Sequence, residues 1–285
     1  MTPACQSRRR PRSPAHLGLA LAGALAALAG CDRSSGGASA PTVAVSNSYL
    51  EAAVGEFVGP AFGVARLAEP GSCPGHFDLR PSQLKTLRNC RLLLRFDFQA
   101  DLDSKLSAVA AERLLISAVT VPGGLCEPTS YLATCRQVAD ALVAAGLLTP
   151  AQANERLPTI EKRLQELGHW AQRRIHQVGL AGAPVVSSRH QAAFCTFLRL
   201  KVAGTFSGAD TASIEEISAA IGAGRTARAV IANLPEGRGL ADALGARLVL
   251  PVVVLHNFPD QANHQGRFDA MLRDNVERLA AIASP

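Results

Sequence analysis

From residue 42 onward, short apolar runs alternate with stretches whose apolar positions recur every three or four residues. TVAVSN (42–47), AFGVARLA (61–68), RLLLRF (91–96) and ERLLISAV (112–119) predict strands. Between and after them, helices are predicted over 48–58, 81–89, 101–111 and 129–145, the last with Val138, Ala141, Leu142 and Ala145 on one face. The pattern then changes. One polar-apolar helix is predicted from Thr149-Pro150 to about Gly179, with Leu164, Leu167, Ala171 and Ile175 forming a single apolar stripe. At 1.5 Å per residue, about 28 residues span about 42 Å, more than one small domain needs. Alternation resumes with strands at 183–188, 201–207, 227–234 and 247–255, and with helices from about 190, over 211–223, over 236–245 and over 266–283. Apolar strands separated by helices imply parallel sheets covered on both faces. The expected fold is α/β: two parallel-sheet lobes, 42–148 and 181–285, joined by one long linking helix, 149–180.

Composition changes this picture mainly at the N-terminus. Of 285 residues, 48% are hydrophobic and 18% charged, as in a folded protein. The formal charge of +6 would suggest a nucleic-acid partner, but Arg8, Arg9, Arg10 and Arg12 lie in the first 30 residues, which hold no Asp or Glu. Without those four charges the remainder carries +2, so the basicity belongs to a targeting segment and no nucleic acid is expected. One Trp and two Tyr are too few for an aromatic stacking platform. The arginines precede HLGLALAGALAALAG (16–30), an apolar run of 15 residues, short for a membrane span and proportioned like a signal peptide. Its end, Leu28-Ala29-Gly30-Cys31, resembles the bacterial lipobox, which makes Cys31 the expected lipidation site. A Ser/Gly-rich stretch follows, so 1–30 reads as signal peptide and 31–41 as a lipid-anchored tether. Asp32 resembles the inner-membrane retention signal of enteric bacteria. Five further cysteines, Cys73, Cys90, Cys126, Cys135 and Cys195, are an odd set for an oxidising compartment, and Cys73 with Cys90 is one possible bridge.

Four stretches, in order, carry a resemblance: VAVSNSYLEAAVGEFVG, GHFDLRPSQLKTLRNCRLLL, EPTSYLATCRQVADAL, and ARAVIANLPEGRGLADALGARLVLPVVVL. Together they resemble the zinc/manganese-specific solute-binding lipoproteins of ABC importers, the family with a rigid helical backbone, over roughly 42–283. The resemblance implies a metal held between lobes by side chains from strand-to-helix loops. His76, in PGHFDLRPS, matches the family's first metal histidine. His190, in VVSSRHQAAF, matches the one after the first strand of the second lobe. His256, in VVVLHNF, falls where the family usually has a carboxylate after its last strand. The family's second histidine is missing: its column falls on Gly123, and Glu127, or Cys126 as its alternative, is the nearest donor.

Each residue also has a plainer reading. His190 and His256 can be packed or surface imidazoles, and Glu127 a carboxylate at a helix start, where the dipole favours it. A lone Cys126 thiol would tend to oxidise or pair. His169 and His176, seven apart on the long helix, suit a solvent face; His264, in DQANHQGR, is a candidate mobile accessory donor, though a surface loop explains it adequately. No phosphate loop, nucleophile elbow or H-E-x-x-H appears, and no enzyme is expected. The expected function is capture of a divalent transition metal outside the cytoplasm and delivery to an ABC permease and its ATPase. The protein would be a monomer on the periplasmic or extracellular face, held to the membrane by its lipid. Three imidazoles favour zinc, with manganese and iron as alternatives. The competing readings are the same scaffold binding a metal chelate or siderophore, and a degenerate envelope lipoprotein binding no ion.

Overall fold

The computed structural model describes residues 42–59, 62–69, 79–106 and 113–283. The signal and tether (1–41), Cys31, Cys73 and His76 lie outside the described residues.

The first lobe runs β1 (Val43–Val45), α1 (Ser48–Gly55), β2 (Val64–Arg66), α2 (Pro81–Leu87), β3 (Leu92–Phe96), α3 (Asp101–Leu106), β4 (Leu115–Val119) and α4 (Pro128–Ala144). After α5 (Pro150–Gln177) the second lobe runs β5 (Pro184–Ser188), α6 (Ala192–Phe197), β6 (Lys201–Phe206), α7 (Ile214–Gly224), β7 (Val230–Asn233), α8 (Gly239–Leu248), β8 (Val252–Leu255), α9 (Gln261–His264) and α10 (Phe268–Ala280). Both sheets are parallel and share one strand order, β2-β1-β3-β4 and β6-β5-β7-β8. This is the expected fold class.

The run LLLRF of β3 is buried throughout because helices cover both faces of its sheet. Its one charge, Arg95, is buried with Nε donating to Asp103 Oδ1 at 2.6 Å, so the guanidinium is paired where desolvation would otherwise be costly. Helix α5 begins at the Thr149–Gln152 capping box and passes through Pro158 without ending. Its buried stripe is Ala153, Ile160, Leu164, Leu167, Gly168, Ala171 and Ile175.

That stripe belongs to a core common to both lobes. Val43 and Leu94 of the first sheet, Leu164 of α5, Val185 and Phe194 of the second lobe, and Met271 of α10 form one continuous apolar cluster. Arg163 on α5 adds polar ties, donating to Glu56 at 2.6 Å and to Asp269 of α10 at 2.5 Å.

The sequence reading fails at one boundary. RLVLPVVVL (247–255) is not one strand. Arg247 and Leu248 end α8, Val249 caps it in a left-handed conformation (φ 57°), and Pro251 precedes β8. The amide of Leu250 donates back to the Gly245 carbonyl at 2.9 Å, a helix-terminating bond that period-2 hydrophobicity cannot register.

Candidate functional site

Parallel α/β sheets place ligands beyond the carboxyl ends of their strands. There, a cleft of about 270 Å³ opens between the lobes. Asp97 and Phe98 line it after β3, Gly123 and Gly124 after β4, His190 after β5 and Asn257 after β8.

His190 sits in a single helical turn whose start is fixed by Ser188, which accepts from the His190 amide at 3.2 Å. Its ring is exposed, with Nε2 3.8 Å from Glu236 Oε1. The other Glu236 oxygen accepts from the Ser188 hydroxyl, so one carboxylate ties the strand end to the imidazole. Arg189 next to it turns outward to Glu216 at 2.8 Å.

Gly123 is closely surrounded. A β-carbon there would lie 2.7 Å from Ser130 Oγ and 3.3 Å from Glu127 Oε2. The Glu127 carboxylate thus occupies space next to the Gly123 column. It is held there by the Gly124 amide, which donates to Oε1 at 3.0 Å. Glu127 is the N-cap residue of α4, though its side chain makes no capping hydrogen bond to the helix.

Cys126 is buried. Its thiol donates to the His256 carbonyl at 3.0 Å and the Asn257 side chain at 3.2 Å, linking the first lobe to the loop after β8. Burial pushes this thiol well above the usual range, and the Cys195 thiol up to about 12. Both stay protonated, and the thiols of Cys126, Cys135 and Cys195 are free.

His256 has its backbone locked by buried Asn275, which accepts from the His256 amide at 2.9 Å and donates to its carbonyl at 2.8 Å. Its ring turns into the second lobe. There it meets the His264 ring edge-on at 4.9 Å, and Asp274 Oδ2 lies 4.0 Å from its Nε2. Burial lowers the His256 pKa, with His264 and Arg278 adding to the effect. The imidazole is therefore neutral, the form that binds metals.

His264 is no surface-loop residue: it is fully buried on α9. Its Nδ1 accepts from the Asp260 amide at 3.1 Å, and its Nε2 lies 3.4 Å from Asp274 Oδ2, which Arg278 holds at 2.6 Å. One ligand atom each from His256, Asp260 and His264 lie within 4.8 Å of one another, the one such trio of His, Cys, Asp or Glu groups among the described residues. The signal for it was the even spacing His256-x3-Asp260-x3-His264, with Asp260 capping a one-turn helix. By contrast, His169 and His176 are exposed on α5, as their spacing implied.

No helix of the described residues is long and apolar enough to cross a membrane. No family model and no curated protein sequence matches the chain. Solved structures do. A manganese-bound periplasmic metal binding protein from Candidatus Liberibacter asiaticus is 13% identical with a TM-score of 0.71, over 85% of this chain and 99% of that one. The cadmium-bound form of a periplasmic metal binding protein from that organism aligns with the same score. The periplasmic zinc binding protein TroA from Treponema pallidum is 15% identical with a TM-score of 0.70, over 86% of this chain and 99% of that one. At such identities the likeness establishes a shared fold of two α/β lobes, across nearly the whole of each neighbour.

Proposed function

We propose that this chain is an extracytoplasmic solute-binding protein that captures a divalent transition metal, zinc first, and delivers it to an ABC importer. The observation that carries the reading is where the donors stand. His190 lines the cleft in the turn after β5, Glu127 packs beside Gly123, and His256 follows β8 with its ring turned into the second lobe, in a fold shared with proteins named for binding manganese, cadmium and zinc. His76, Glu127, His190 and His256 are the proposed ligands, with Cys126 in place of Glu127 the weaker option because a buried, protonated thiol is a poor ligand. Anchoring through Cys31 and passage to a permease and its ATPase rest on the lipobox and the family resemblance.

A zinc titration of the folded protein tests this. A zinc equivalent at the cleft, weakened in a His76→Ala/His190→Ala variant, is expected. Saturating zinc at 100 times Kd should add about 2.7 kcal/mol of stability. Absence of thermal stabilisation by zinc, manganese and iron(II) would overturn the reading. In cells, Cys31→Ser should move the protein from the membrane fraction to the soluble one; unchanged fractionation would remove the anchor.

A further inference from the structure

Two features of the loop between β8 and α10 call for explanation. An imidazole with no exposed surface, His264, faces a second buried imidazole and two carboxylates. These buried polar groups are compensated by one another and by the Asp260 amide, Asp274 and Arg278, a costly arrangement where apolar packing would fill the same volume more cheaply. The donors are also already gathered. Tetrahedral zinc with bonds of about 2.0–2.1 Å sets its ligand atoms about 3.3–3.5 Å apart. Here the three lie within 4.8 Å before any ion is considered. They come from nine consecutive residues, 256–264, so closing the site needs side-chain adjustment and no movement of one lobe against the other. The surroundings are those of a held ligand set. Asn275 fixes the His256 backbone, and Arg278 sets Asp274 beside both Nε2 atoms. The His264 Nδ1 lone pair is taken by the Asp260 amide, so ligation by that atom requires it to exchange this hydrogen bond for the ion.

We propose that His256, Asp260 and His264 form a metal site within the second lobe, taking a divalent transition metal such as zinc and operating without the cleft residue His190. The site shares His256 with the proposed cleft set and rests on that reading at this residue alone. Asp260, the N-cap of α9, and His264 do not line the cleft. Two imidazoles and a carboxylate leave a fourth position for water or a donor handed over from the cleft, the open arrangement that permits exchange.

The experiment titrates the whole folded protein with zinc and with cobalt(II), reading stoichiometry by calorimetry and ligation by the visible cobalt spectrum. Asp260→Asn keeps the helix cap, since Asn caps as well as Asp, and removes the charged donor. His264→Gln removes the buried ring, with circular dichroism and Tm reporting whether the variant folds. Each variant is expected to bind the second-lobe equivalent more than about 100-fold more weakly, above the roughly 10- to 100-fold that losing a ligand-orienting partner costs. His190→Ala should leave that equivalent and its cobalt spectrum intact. Wild-type affinity and stoichiometry in Asp260→Asn would overturn the proposal whether or not His264→Gln folds. If His190→Ala abolishes binding while Asp260→Asn does not, the cleft reading survives and this one falls; the reverse supports this site and removes His190. A wild-type chain that takes up neither ion overturns both.

Discussion

His256 is placed by a neighbour that sequence order does not reveal, whereas Glu127 is held by the nearby Gly124 amide. Asn275, nineteen residues on, holds both backbone polar groups of His256, while Cys126 from the other lobe reaches the same carbonyl. Burial then lowers the His256 pKa, and this sets a pH dependence. The ring faces His264, Arg278, Asp274 and Asp260. Its folded pKa lies below the unfolded value of about 6.5, so the unfolded chain binds more protons as pH falls through that value. The stabilising effect of a neutral, buried ring is complete above about pH 6.5 and is lost as pH drops toward the folded pKa. The metal-free protein should therefore lose Tm between pH 7.5 and 5 more steeply than His256→Gln; parallel profiles would refute this. Through His256, metal is expected to be retained to more acid pH than an exposed histidine of ordinary pKa would allow.

At the scale of elements, α5 shows how packing overrides propensity. A proline in a helix interior removes one hydrogen bond and costs about 3 kcal/mol relative to alanine, yet Pro158 lies on the exposed side, between buried Ala153 and Ile160, and the helix continues. Pro158→Ala should stabilise the protein by about 1–3 kcal/mol in urea unfolding, with no effect on metal titration. A destabilised variant would show that the local geometry depends on the ring. The period-3.6 stripe made α5 legible from sequence, since Leu164, Leu167, Ala171 and Ile175 are all buried. Helix α9 was not legible: a single turn of three polar residues and an alanine has no periodicity, and only the tertiary packing of α10 against it buries His264.

Across the whole molecule, the lobes share one apolar core along α4, α5 and α10, and Arg163 binds α5 to the end of α1 and to α10. A shared core opposes wide hinge opening, because separating the lobes would expose packed apolar surface. Under the proposed function, exchange of an ion would fall to loops and side chains. Arg163→Ala leaves Glu56 and Asp269 without their common partner. Since Arg163 is about one-third exposed, solvent screening limits the expected loss to about 1–2 kcal/mol. The loss should shrink in high salt, and a salt-independent change would attribute it to packing of the arginine stem.

The order of strands and helices, the apolar runs that make both sheets parallel, and the length of α5 were fixed locally, by residue spacing, and the sequence alone determined them. The sequence also marked His190 and His256 as donors at strand ends. It could not decide where a ring points, because that depends on partners distant in the chain: Asn275 and Asp274 for His256, Glu236 for His190, and Ser130 with Glu127 around the empty Gly123 column. Only the tertiary structure turned a histidine that suited a surface loop, His264, into a fully buried group beside His256, since burial is a property of what packs over a residue.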